Sequence, residues 1–86
     1  MNNLHCFVGV DFVDDANVSG YKFWYICPFE NVDEGDEVIA PLGRHNNLQA
    51  GIVKQVLFAA DSEAPYPVQF IKTIKRLIKK EDKSNE

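Results

Sequence analysis

The 86-residue sequence lacks several features that would each assign it to a class of protein. It has no apolar run near the ~20 residues that a membrane-spanning helix needs, so no such helix is expected. Its first residues contain no basic segment followed by an apolar one, which is the pattern of a secretory signal, and we expect a cytoplasmic location. It also lacks a glycine-rich loop ending in lysine, which would cradle the phosphates of ATP.

Residues that bind metals or perform catalysis are also scarce. Cys6 and Cys27 lie in apolar runs without metal-type spacing, so we expect small buried hydrophobic residues in a reducing compartment. A disulfide between neighbouring strands is the alternative if the protein is exported. His45 has no second histidine or cysteine at ligand spacing, and His5 lies in the lead-in to the first strand. We expect no metal, no cofactor and no enzymatic activity.

Basic side chains are few over most of the chain. Residues 1–70 contain three of them against ten acidic side chains, a net charge of −7, whereas residues 71–86 carry +3. An acidic chain is a poor general binder of a phosphate backbone, so any nucleic-acid site must be local. The cluster near the C-terminus is either a solvated end of the chain or a phosphate contact. It comprises Lys72, Lys75, Arg76, Lys79 and Lys80.

The segment from residue 32 to residue 56 organises the chain as a turn, a strand, a loop and a second strand. Gly35 lies among acidic residues and suits a tight turn with a positive φ angle. A short β run follows and ends at Pro41, which cannot donate to a β-ladder. The second β run covers residues 48–58 and includes Gly51, where we expect a β-bulge or a close backbone approach. The loop between the two strands carries at its tip Arg44 and His45.

Three other segments complete the predicted strands. Residues 5–12 place apolar side chains on one face at a period of two. Residues 21–27 are apolar on both faces, so this strand is central, or it covers a core on one side and a site on the other. Residues 70–78 fit both β alternation and helical spacing, and we expect a short strand that turns helical near Lys75.

Four or five short β runs joined by glycine and proline turns predict an all-β fold. The expected architecture is a small, four- to five-stranded β-barrel, closed or partly open, because closure removes exposed strand edges. The predicted architecture also allows a short helical turn near the C-terminus. We expect one domain over residues 1–78 and a charged, disordered tail over residues 79–86.

Five segments follow one another in an order and spacing that are similar to those of a known family. They are Val8-Gly9-Val10, Phe23-Trp24-Tyr25 with Pro28, Val32 to Arg44, Ala50 to Val53, and Ile71 to Ile74. Together they resemble the N-terminal DNA-binding domain of the bacterial primosomal replication-restart helicase PriA. In that family the corresponding run is approximately V-x-V, F-D-Y-x-x-P, x-G-x-x-V-x-V-P-F-G, G-x-V and K-x-I.

The resemblance implies a non-enzymatic domain that captures the 3′ end of a DNA strand, or fork and junction DNA, without reading sequence. By position, Phe23 and Trp24 occupy the family's Phe-Asp-Tyr segment. Gly43 falls in its Pro-Phe-Gly segment and Lys72 in its Lys-x-Ile segment. Arg44, beside Gly43, would supply charge at the site. The predicted DNA-binding residues are Phe23, Trp24, Gly43, Arg44 and Lys72.

The chain departs from the family pattern at three points. Trp24 replaces the aspartate, so a family carboxylate bond to the terminal nucleotide could not be made, and Leu42 replaces phenylalanine. No helicase motif follows, so we expect a stand-alone module without ATP chemistry. Trp24 itself either stacks on a base, anchors a protein interface or belongs to the core.

The alternative function is an acidic protein-interaction or regulatory module that kept the barrel and lost DNA binding, as mobile elements often encode. The net charge of −7 over residues 1–70 and the tryptophan at position 24 both favour it. The acidic group after position 32 is either a solvated turn or part of a negative face for a basic protein. That group comprises Asp33, Glu34, Asp36 and Glu37.

Overall fold

The structure, a computed structural model, describes residues 4–29, 31–65 and 67–79. Within these residues the chain forms six strands and two single-turn 3-10 helices. The strands are β1 (His5–Asp11), β2 (Phe23–Ile26), β3 (Glu37–Leu42), β4 (Asn47–Ala59), β5 (Lys72–Thr73) and β6 (Arg76–Ile78). The 3-10 turns are Asp61–Glu63 and Val68–Phe70. Over these same ranges no helix has the length and apolar content needed to cross a membrane.

The strands form one sheet in the order β5-β2-β1-β4-β3-β6, and its two outermost strands are consecutive in the chain. Only Ile74 and Lys75 separate β5 from β6. The Ile74 amide donates to the carbonyl of Ile26 on β2, and the Lys75 amide donates to that of Ile39 on β3. Because so short a link spans only ~10 Å, the sheet must curl until its edges approach each other. The prediction of a small, all-β, barrel-like fold is confirmed, with six strands described instead of the four or five expected.

The main hydrophobic core fills the inside of this curled sheet. It comprises Val8, Val10, Phe12, Tyr25, Cys27, Val32, Val38, Ala40, Val53 and Ile74. The even-numbered residues of β1 lie in this main core, as the predicted alternation of apolar side chains requires. A second, smaller cluster of Phe7, Ala59 and Ile71 lies apart from it and packs against Trp24 on β2. β1 and β2 are therefore apolar on both faces, as expected for β2 from its sequence.

The connection from β4 to β5 contributes to the second cluster. Ala64 and Val68 are half-buried and pack against it, beside the fully buried Phe7. The helical turn of this region is the 3-10 turn at Val68–Phe70, earlier than predicted. The chain does not turn helical near Lys75, because the backbone there pairs with β3 and continues as β6.

β3 continues through Pro41 instead of ending there. Strand β6 pairs with β3 only over residues 37–39, so Pro41 lies beyond the part of β3 that is paired on both sides. A proline, which has no amide hydrogen, is tolerated at such a position.

Gly51 provides the close approach that we expected, since a Cβ there would lie 2.4 Å from Cγ1 of Val10. The bulge lies elsewhere, at Lys54, where the register between β1 and β4 shifts.

The turn before β3 contains a buried carboxylate. Gly35 has the predicted positive φ angle, at 95°. Asp36, however, is only 1% exposed, so the prediction of a solvated acidic turn is wrong at this residue. Its Oδ2 accepts a hydrogen bond from the Asp33 amide (2.8 Å) and another from the Lys79 ammonium (2.6 Å).

Lys79, which the sequence assigned to the charged tail, joins the C-terminal segment to this turn. Its ammonium also contacts the Asp33 carboxylate at 3.1 Å and the carbonyl of Asn31. The hydrogen bond to Asp36 raises the pKa of Lys79 above its ordinary value, although desolvation acts in the opposite direction. The remainder of the predicted tail, residues 80–86, lies outside the described residues.

The two cysteines face each other across β1 and the end of β2. The Cys27 amide donates to the Cys6 carbonyl at 2.8 Å, and both thiols are free. Cys27 is buried as expected, whereas Cys6 is half-buried. Desolvation, with a smaller contribution from the neighbouring Cys27, raises the pKa of Cys6 to about 12.

Candidate nucleic-acid interface

A cavity of about 490 Å³ opens where β2, β5 and the tip of the β3–β4 hairpin meet. Its volume lies within the usual range for small-molecule sites. We call it the aromatic cavity. The residues that line it are Tyr21, Lys22, Phe23, Trp24, Tyr25, Leu42, Gly43, Phe70, Ile71 and Lys72.

Four of the five predicted site residues line the aromatic cavity, although they are far apart in the sequence. Phe23 and Trp24 lie on β2, Gly43 begins the hairpin turn and Lys72 lies on β5. The parallel pairing of β5 with β2 brings them together, because it places Lys72 opposite the neighbouring Tyr25. Arg44 is exposed in the hairpin turn and is not among the lining residues.

Lys72 connects two walls of the cavity. Its ammonium donates a hydrogen bond to the carbonyl oxygen of Gly43 at 2.7 Å. Gly43 has a φ angle of 80°, and a Cβ added to it would meet nothing within 4 Å. Glycine is therefore favoured at this position by the backbone conformation of the turn rather than by lack of space.

Trp24 belongs both to the second hydrophobic cluster and to the wall of the cavity. It is half-buried, and the ammonium of Lys22 lies 5.6 Å from the centroid of its ring. That ammonium also donates to Oε1 of Gln55 at 2.7 Å. A cation held above an indole ring is attracted to its π-electron face, so Lys22 and Trp24 form one unit of the site.

Six of the ten lining residues were not predicted as site residues, among them Lys22, Tyr21 and Phe70. Lys22 is one of only three basic residues in the first 70, and it shares a strand face with Trp24. Both facts were signals that could have identified it. Phe70 and Tyr21 are the most exposed large hydrophobic residues described, at 74% and 67%. Nothing in their local sequence indicated that they would lie at one opening.

The charge of the cavity differs from that of the chain as a whole. Among the described residues, two lysines line it and no acidic residue does, whereas the chain has a net charge of −4. The Tyr25 hydroxyl donates to the Pro41 carbonyl at 2.6 Å, and burial raises the pKa of Tyr25 to about 12, so this phenol stays neutral. Aromatic faces beside ammonium groups suit a ligand that carries both a flat ring and a negative charge.

Comparisons of the chain with protein-family models, with curated proteins and with solved structures find no match. The resemblance to the PriA N-terminal domain therefore stays a prediction, and the geometry of the cavity is the basis for the functional argument.

Proposed function

We propose that the protein is a non-enzymatic, cytoplasmic DNA-binding module that captures a single-strand 3′ end, as found at a fork. The terminal nucleotide would occupy the aromatic cavity. One observation carries this proposal: residues predicted from the family resemblance, and separated by up to 49 positions, line one cavity, whose described lining includes two lysines and no acidic side chain.

The lining residues supply the two interactions that bind single strands. Trp24, Tyr21 and Phe70 offer aromatic surfaces, and base stacking on an aromatic side chain contributes ~1–3 kcal/mol. Lys22 and Lys72 offer ammonium groups for a phosphate. An ammonium group has three donors, so the bond of Lys72 to Gly43 leaves donors for a ligand.

Fluorescence anisotropy at low salt, with three labelled DNAs, tests the proposal. The DNAs are a single strand with a free 3′ hydroxyl, the same strand with a 3′ phosphate, and a blunt duplex. We expect preference for the free 3′ end, lost in Trp24→Ala and in Lys72→Ala. Lys54→Ala, which removes an exposed lysine that is not among the lining residues, is the matched control. Flat curves for all three DNAs at tens of micromolar would exclude 3′-end capture.

The second candidate function is an acidic protein-interaction module. The observation that favours it is the segregation of charge, since five acidic side chains of the described segments are exposed and none of them lines the cavity. They are Asp14, Asp33, Glu34, Asp61 and Glu63. This function predicts a stable complex with a basic protein that is lost when these residues are changed to their amides. It also predicts no change in anisotropy with any of the three labelled DNAs.

A further inference from the structure

A second groove, of about 620 Å³, lies beside the aromatic cavity, and Lys72 lines both. We call it the C-terminal groove. Its lining residues are Pro41, Asn46, Leu48, Lys72, Thr73, Ile74 and Lys75. As in the aromatic cavity, the described residues that line it include no acidic side chain. The chain has 13 acidic side chains, yet the charged residues described in the lining of these two hollows are all lysines, and Lys72 is common to both.

The two sides of this groove have different chemistry. On one side lies the β3–β4 hairpin, where Pro41 pairs with Leu48 and Leu48 is 55% exposed. On the other side runs the segment from Lys72 to Lys75, whose backbone is held to β3 by the bond from the Lys75 amide to Ile39. The Lys75 side chain is exposed and extends from this fixed backbone. The hairpin side combines Pro41 and Leu48 with the polar Asn46, and the other side carries two lysines, so the groove suits a chain of sugars and phosphates.

We propose that the C-terminal groove binds the DNA backbone of the nucleotides that precede the terminal one, with Lys75 contacting a phosphate. This inference rests on the proposed function, in which the terminal nucleotide occupies the aromatic cavity. Lys72 stands between the two hollows, at the point where the strand leaves one and enters the other. The site thus takes a single strand several nucleotides long rather than an isolated nucleotide.

Ligands of different length distinguish binding in the aromatic cavity from binding in the C-terminal groove. Trp24 is the only tryptophan of the chain and lines the aromatic cavity, so its fluorescence reports on binding. The full-length chain is titrated with thymidine 5′-monophosphate and with thymidine di- and tetranucleotides at several salt concentrations. We expect affinity to rise with length, and the salt dependence to steepen by ~0.7 for each added phosphate contact.

Variants of Lys75 then test whether the C-terminal groove contacts a phosphate of the longer ligands. Lys75→Ala should leave binding of the monophosphate unchanged, weaken the tetranucleotide several-fold and reduce its salt slope by ~0.7. Lys75→Arg should restore the slope, because it restores the charge. Lys54→Ala, which removes an exposed lysine outside both hollows, should match the wild type with every ligand.

The two proposals fail in different ways. Affinity that does not change with length, or a Lys75→Ala variant that binds the tetranucleotide as well as the wild type, overturns the groove and leaves end capture standing. Equal weakening of the mono- and tetranucleotide in Lys75→Ala also overturns the groove. If no ligand binds, the proposed function fails, and the groove as a DNA path fails with it.

Discussion

The ammonium group of Lys72 donates a hydrogen bond to the carbonyl oxygen of Gly43, and 2.7 Å separates the two atoms. The two residues are 29 positions apart, one on β5 and the other at the tip of the β3–β4 hairpin. The lysine that the family resemblance selected for ligand contact therefore also holds a wall of the aromatic cavity. Its removal has two consequences that can be measured separately.

Lys72→Met should lower the free energy of unfolding by only about 0.5–1.5 kcal/mol, which is the net contribution of one hydrogen bond. DNA binding should be lost to a greater extent, because the variant removes a charge from the cavity as well. Urea unfolding measures the first quantity and fluorescence anisotropy the second, with Lys54→Met as the control. A stability loss larger than this range, with normal DNA binding, would show that Lys72 is structural alone.

The buried Asp36 carboxylate should matter more for stability than any exposed acidic residue of the same turn. Asp36→Ala removes the acceptor for the Asp33 amide and for the Lys79 ammonium, so we expect a loss of about 3 kcal/mol in urea unfolding. Glu34→Ala, at an exposed position two residues away, should change stability by less than about 0.5 kcal/mol. Equal effects of the two substitutions would contradict the burial of Asp36.

Tyr25 should make the protein sensitive to alkaline pH. Burial raises the pKa of Tyr25 from 10.0 to about 12, so the neutral phenol favours the folded state. This stabilisation is fully present below pH 10 and decreases as the pH rises from 10 to 12. The total loss of stabilisation is about 3 kcal/mol. In Tyr25→Phe, stability should fall less steeply over this range, while near neutral pH it should lose about 1 kcal/mol with the bond to Pro41.

Urea unfolding of the wild type and Tyr25→Phe at several pH values between 8 and 12 tests this expectation. Lys79, Cys6 and Cys27 also have raised pKa values and therefore also lose stabilisation at alkaline pH. All three groups are present in the two proteins, so their contributions cancel in the comparison. Parallel stability curves for the two proteins would contradict the argument.

The sequence predicted the strands well because their signals are local. Alternating apolar residues, Gly35 and the polar hairpin loop each indicate structure from a few neighbouring side chains. The division of the last segment into β5 and β6 could not be read this way. It depends on hydrogen bonds to Ile26 and Ile39, which lie far away in the sequence and are accessible only once the sheet has curled.

The candidate site could likewise be predicted only in part from the sequence. The order of motifs selected Phe23, Trp24, Gly43 and Lys72, which the fold brings to one cavity. Phe70 reaches that cavity through a 3-10 turn that lies earlier in the chain than the helical turn predicted near Lys75. The burial of Asp36 likewise required knowledge that the C-terminal segment returns to the turn before β3. Residues that meet across such returns carry no signal in a single sequence.

The two cysteines should react slowly in the folded protein. Burial raises the pKa of both thiols, and for Cys6 the change from 9.0 to about 12 lowers the thiolate fraction by about a thousandfold. Ellman's reagent at pH 8 should therefore modify the native protein far more slowly than the protein in urea. Immediate reaction of either thiol in the native protein would contradict the described environment.

Two glycines within strands, Gly9 on β1 and Gly51 on β4, should respond differently to alanine, and the difference tests the role of Lys22. A Cβ at Gly51 would lie 2.4 Å from Cγ1 of Val10, which is fully buried and cannot move away. We expect Gly51→Ala to destabilise the protein by about 1–3 kcal/mol through overpacking. A Cβ at Gly9 would instead lie 2.6 Å from Cδ of Lys22, which belongs to an exposed, flexible side chain.

Gly9→Ala should therefore cost little stability but displace Lys22 from its position above Trp24. Since Lys22 is one of the two ammonium groups of the aromatic cavity, DNA binding should weaken while urea unfolding changes by less than about 1 kcal/mol. Lys22→Met supplies the comparison, because it removes the same charge without adding a Cβ at Gly9. Similar losses of binding in the two variants would identify the position of Lys22 as the common cause. If Gly9→Ala binds DNA normally and Lys22→Met does not, the charge of Lys22 matters but its placement over Trp24 does not.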